Sequence, residues 1–196
     1  MRSIGRMEPG TAINPLERRK PRSGLPQIAL AVCLLVVLGV AAWMLLARAE
    51  AEVPADDWVT FDSPDGEFSL KFPAEPETSQ TEEPDTVYLV TADMRTRVYA
   101  LAYYDYPQQQ VDDYGADKLL DDRMATGTES ISGVITNHEQ FVWKDHPGRE
   151  FWLDVPGGKA HYRIFLVGRR LYQLAIIHMA SFEPNHDGFF SSFTLK

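Results

Sequence analysis

The chain has 196 residues, with 19 Lys/Arg against 28 Asp/Glu, and a formal net charge of −9 at pH 7. That balance argues against nucleic acid as a partner, because phosphate backbones are bound by neutralising them with basic side chains. The one cysteine, Cys33, rules out a framework of internal disulfides and leaves everything after it without thiol chemistry.

The charge is unevenly placed. Residues 1–24 hold six Lys/Arg and two Glu, a net +4, and Pro9, Gly10, Pro15 and Pro21 mark them as a disordered basic tail. Leu25 to Ala47 contains no charged residue, and Ile28, Leu30, Val32, Leu34, Val36, Leu38 and Leu45 leave it no polar face. A helix of that length spans about 33 Å, enough to cross a hydrocarbon core of about 30 Å. The reading is one transmembrane helix, with Trp43 near an interface. Beyond it stand 13 Lys/Arg and 26 Asp/Glu, a net −13. Basic residues stay on the cytoplasmic side, so the expected placement is the cell membrane, single-pass, N-terminus inside and C-terminal domain outside. The alternative is secretion after cleavage near Ala49, where Ala47-Arg48-Ala49 and Ala49-Glu50-Ala51 offer small residues, although the apolar run is longer than a usual signal sequence. Residues 48–57 form a short polar linker, and 58–196 are the size of one domain.

Within that domain Trp58 to Phe61 reads as a strand leading into Ser63-Pro64-Asp65-Gly66, a turn in which Pro sets φ and Gly takes the positive value. Phe68, Leu70 and Phe72 alternate with polar neighbours as a half-buried strand. Glu75 to Asp85 is acidic and proline-bearing and reads as a loop. Thr86 to Ala92 and Arg97 to Tyr104 are two more strands, the second apolar on both parities and so covered on both faces. A helix is expected over about Val111 to Ala125, with Asp112 and Asp113 in its first turn, an apolar stripe of Ala116, Leu119, Leu120 and Met124, and Gly127 as its stop. Ile131 to Trp143 is a long strand bulged near Asn137, and Arg149 to Val155 another. His161 to Val167 and Leu171 to His178 flank a tight hairpin at Gly168-Arg169-Arg170. Glu183 to Phe190 is a short helix and Phe193 to Leu195 closes the chain. Hairpin spacing dominates, which predicts an α+β domain built on an antiparallel sheet with packed helices.

Several phrases together carry a resemblance: Phe61…Pro64-Asp65-Gly66 with Phe68-Ser69-Leu70 and Phe72-Pro73; Tyr103 and Tyr106-Pro107 ahead of the helix; Gly148-Arg149-Glu150; the hairpin Phe165 to Leu174; and Phe189-Phe190 with Ser192-Phe193 and Leu195. The domain resembles the PsbP-like superfamily over most of Trp58–Lys196, most nearly its membrane-anchored bacterial members. The resemblance implies an antiparallel sheet with helices packed on it. It matches no metal or GTPase-binding residue position by position.

Candidate site residues are few. His161 and His178 begin and end the two strands of one hairpin, which antiparallel pairing brings close, and His186 lies nearby in sequence; three or four converging ligands would make a zinc site. No Gly-x-Ser-x-Gly elbow or phosphate loop is present. Arg169 and Arg170 stand out in an acidic domain as contacts for an anionic partner. Tyr103, Tyr106 and Trp152 are amphipathic aromatics suited to an interface. No cofactor is expected. The function these features favour is a non-enzymatic binding or accessory domain serving another envelope protein. A ligand-sensing domain, or a metal-assisted hydrolase built on the strand-end histidines, are the alternatives.

Overall fold

The computed structural model describes residues 57–65, 67–81, 86–94, 96–179 and 187–196. The uncharged run from Leu25 to Ala47, which the sequence reading takes as a transmembrane helix, lies outside the described residues, as do the tail, most of the linker and His186. Among the described residues no helix is long and apolar enough to cross a membrane.

In chain order the elements are β1 (Val59–Asp62), β2 (Phe68–Phe72), β3 (Glu77–Thr81), β4 (Val87–Asp93), β5 (Arg97–Asp105), α1 (Gln108–Ser130), β6 (Val134–Trp143), β7 (His146–Val155), β8 (Gly158–Val167), β9 (Arg170–Met179), α2 (Asp187–Ser191) and β10 (Thr194–Leu195). They build two sheets, a large one in the order β3-β4-β5-β9-β8-β7-β6 and a small one in the order β1-β2-β10. Every pairing is antiparallel. The α+β expectation is therefore met.

Strand alternation sorts the side chains of the large sheet into two cores. On one face Tyr99, Leu101, Tyr103, Phe165, Tyr172, Leu174 and Ile176 meet Phe68, Leu70 and Phe72 of the small sheet and Phe189, Phe190 and Phe193 of the chain end. On the other face Phe151, Leu153, Tyr162, Ile164, Leu171 and Ala175 meet Leu119 and Leu120 of α1. The three layers are thus small sheet, large sheet and helix. Central β5 is buried on both parities, as its composition requires.

Four sequence expectations are corrected. Residues 77–81 are not loop: Glu-Thr-Ser-Gln-Thr pairs with β4 as an edge strand. It buries almost nothing, so it carries no apolar alternation to read. The helix begins three residues earlier, at Gln108 after Pro107, so Asp112 and Asp113 lie beyond its first turn. It is broken at Gly115, whose backbone (φ 74°, ψ 162°) only glycine adopts readily. Gly127 lies inside the helix rather than at its end; Ser132 takes the left-handed position instead (φ 53°), and the Gly133 N–H closes the end on the Thr128 carbonyl at 2.9 Å. Finally β7 starts at His146, because Lys144 and Asp145 both adopt positive φ (45° and 69°) and turn the chain in two residues. The bulge is where the sequence places it: Thr136 is left over between the pairs Ile135–Leu153 and Asn137–Trp152.

Candidate functional site

Cross-strand register lays out the polar part of the large sheet in rows on the small-sheet face. Arg97, His178, Lys159 and Asp154 stand side by side across β5, β9, β8 and β7. In the next row are Tyr99, Ile176, His161, Trp152 and Asn137, and in the next Leu101, Leu174, Arg163, Glu150 and Glu139. Tyr103, Tyr172, Phe165, Gly148 and Phe141 follow, under the aromatics of the small sheet. The face therefore grades from an aromatic end, covered by β2, to a basic end.

Between these ends lies a buried ion group. The Glu150 Oε1 receives a hydrogen bond from Arg163 Nε at 2.8 Å and contacts His161 Nε2 at 2.6 Å. Burial works to raise the Glu150 carboxyl, but the His161 and Arg163 bonds outweigh it and hold it below the usual range. Phe190 of α2 caps the group, its ring 4.6 Å from His161 and 4.8 Å from the Arg163 guanidinium. Trp152 stacks on the other side of His161, at 4.6 Å and 17°.

His161 and His178 stand in adjacent rows and both line an open pocket of about 270 Å³ at the bulged end of the sheet, together with Thr136, Asn137, Trp152 and Lys159. The hydrogen bond from Thr136 Oγ1 to the Trp152 carbonyl, 3.1 Å, fixes the bulge beside this pocket. Each histidine is only 6% exposed. Burial lowers the pKa of His178, the bond to the Met179 carbonyl works against it, and the charges of Arg97 and Lys159 lower it further. Its Nδ1 lies 3.2 Å from the Met179 carbonyl, an acceptor only, so the neutral ring carries its proton on Nδ1. Among the described residues no three His, Cys, Asp or Glu side chains converge as a metal-ligand set.

Arg169 and Arg170 lie elsewhere, at the aromatic end. Arg170 bonds Asp105 (2.7 and 3.1 Å), Asp65 (2.6 Å) and Glu67 (2.6 Å), with its guanidinium over the Tyr103 ring. Those bonds tie the β1–β2 turn of the small sheet to β5 and β9. They hold Asp105 below its ordinary value, and at Asp65 the Ser63 and Arg170 bonds overcome the effect of burial. Arg169 is exposed and reaches the same Asp105 at 3.3 Å. Tyr103 is buried, stacked on Tyr88 at 4.8 Å, and burial together with Asp65 pushes its phenol to about 12. Tyr106 sits on the helix face and accepts a hydrogen bond from the Tyr104 hydroxyl at 2.7 Å; burial raises its phenol too.

The structure thus gathers His161, His178 and Trp152, and separates them from Arg169, Arg170, Tyr103 and Tyr106. Sequence reasoning missed Glu150, Arg163, Arg97 and Lys159. A signal was present, since Glu150 and Arg163 interrupt otherwise apolar strands, and a charge within such a strand is unusual unless it is paired.

No protein-family model matches the sequence, and no curated protein does. Among solved structures the chain is similar to a crystal structure from Bacteroides thetaiotaomicron, at 13% identity over 70% of this chain and 48% of that one, with a TM-score of 0.37. It is also similar to the solution structure of cyanobacterial PsbP (CyanoP) from Synechocystis sp. PCC 6803, at 12% identity over 78% of this chain and 99% of that one, with a TM-score of 0.49.

Proposed function

We propose that the chain is an accessory domain, tethered outside the membrane by its helix at residues 25–47, that binds another protein of the cell envelope. The observation that carries this reading is the free edge of β6. This ten-residue strand pairs with β7 on one side and, among the described residues, with nothing on the other. Its ends present Val134 at 65% and Val142 at 71% exposure. An open edge of that length offers a row of backbone donors and acceptors to which a strand of a partner can add. The partner meets an acidic chain, a net −13 beyond residue 47, so a basic strand is favoured.

Photocrosslinking in cells from positions 139 and 142 tests the surface. One envelope protein is captured from β6, is not captured from Tyr114 on the helix face, and is lost when Val142→Lys places a charge on the edge. Equal capture from both faces removes β6 as the binding edge. The tether is tested separately by N-terminal sequencing of the mature protein: Met1 or Arg2 supports it, and a start near Glu50 replaces it with secretion.

A further inference from the structure

With β6 taken as the binding edge, its own residues define the strand that fits it. Lys144 and Asp145 make a two-residue turn between the paired Trp143 and His146. The pair that flanks such a turn exchanges backbone hydrogen bonds, and the exchange recurs at every second residue. Trp143, Phe141, Glu139 and Asn137 therefore direct their backbone groups to β7, and His138, Gln140 and Val142 turn theirs outward. The bulge at Thr136 ends this regular register, so residues 137–143 are the template.

The side chains along that template are of two kinds. On the small-sheet face Phe141 and Trp143 both lean inward across β7. A Cβ at Gly148 would meet the Phe141 ring at 2.6 and 2.8 Å, and the Trp143 ring stacks on Phe165 of β8 at 4.9 Å. Their outer flanks give the edge an apolar side, and Val142 on the opposite face is 71% exposed. Further along, Glu139 pairs across the ladder with Glu150. Arg163 and His161 are engaged by Glu150, and Glu139 makes no ion pair among the described residues. Asn137, His138 and Gln140 are polar and exposed.

We infer that the partner supplies an antiparallel strand with three consecutive apolar residues opposite 143, 142 and 141, then one polar residue, then a Lys or Arg opposite Glu139. Antiparallel ladders are the more stable kind per residue, and their non-hydrogen-bonded pairs bring facing side chains closest. On the outer side of β6 those pairs fall at 139, 141 and 143, so the partner's cation comes against the Glu139 carboxylate and its apolar residues against the two rings. Opposite charge and apolar contact at such pairs stabilise the addition.

The experiment titrates the acetylated, amidated peptide Ile-Val-Val-Thr-Lys-Thr-Thr into the full-length chain in detergent and follows amide hydrogen exchange by NMR. Binding slows exchange at His138, Gln140 and Val142 and leaves Glu139 and Phe141, already bonded to β7, unchanged. Replacing the peptide lysine by glutamate weakens binding by about fivefold, the upper range for a cross-strand ion pair. Glu139→Lys, at an exposed position, reverses that preference. Asp113→Lys, the same change of charge on the helix, leaves its direction as it was. The strand pattern is overturned if the three amides gain no protection, if the peptide of reversed sequence binds as tightly, or if Glu139→Lys and Asp113→Lys act alike. Failure of the peptide while crosslinking from 139 and 142 still captures a protein removes the pattern and leaves β6 as the edge; failure of both removes the edge as well.

Discussion

Lys144 and Asp145 occupy the two central positions of the β6–β7 hairpin with φ of 45° and 69°. An L-residue in that conformation costs about 1–2 kcal/mol, which glycine avoids and asparagine reduces. The double exchange Lys144→Asn/Asp145→Gly is therefore expected to stabilise the domain by about 1 kcal/mol in urea denaturation. Gly158 is the opposite case. A Cβ there meets the His178 carbonyl oxygen at 2.1 Å, on a backbone that has no room to yield. Gly158→Ala is expected to cost about 3 kcal/mol, because it displaces β9 at His178. An unchanged melting temperature for Gly158→Ala contradicts that close packing.

At the level of elements, α1 is held to the sheet in two ways. Leu119 and Leu120 enter the core, and Arg149 of β7, whose side chain is 3% exposed, bonds Asp117 at 2.9 Å and Asp121 at 2.7 Å. Burial works to lower the Arg149 pKa, but the two aspartates overcome it and keep the guanidinium charged. Asp117→Asn/Asp121→Asn leaves that buried charge without its acids and is expected to cost about 2 kcal/mol. Hydrogen exchange locates the effect: amides of 116–130 lose protection while those of β9 keep theirs. Uniform loss across both elements shows instead that the helix and sheet open as one unit. Leu120→Ala, at a fully buried position, is expected to cost about 2–5 kcal/mol through the cavity it leaves.

For the whole molecule, acid stability has two windows. His178 has a folded pKa below its ordinary value of 6.5, so the unfolded chain binds its proton more readily. Its contribution is complete above about pH 6.5 and is lost as pH falls from there through the folded value. Glu150, Asp65 and Asp105 are also lowered in the fold, from ordinary values of 4.5, 3.8 and 3.8, and act in the same direction at lower pH. Stability should therefore decline in two stages as pH falls from 8 to 3. His178→Asn should remove the upper stage alone; its persistence in that variant would assign it to another group.

The sequence by itself determined the charge split, the uncharged run at 25–47, the antiparallel α+β class and most strands, because each rests on local pattern: alternation in Phe68 to Phe72, two-sided apolarity in β5, turn residues at Gly168. The bulge at Thr136 was legible near Asn137 for the same reason, a break in period. What pattern could not give was β3, which exposes nearly every side chain, or a turn made of Lys and Asp in place of Asn and Gly. The site was half legible. His161 and His178 are neighbours because a hairpin pairs them, and sequence separation within a hairpin fixes that. Arg163 shares the strand of His161, and Glu150 lies on the preceding strand of the β7–β8 hairpin, so these too were within local reach; Arg97 joins them only through the pairing of β5 with β9, which no local spacing specifies. Arg170 was legible as a charge. That it ends as a clamp between two sheets, surrounded by three carboxylates, was decided by long-range packing, which brings residues 65, 67 and 105 to one place.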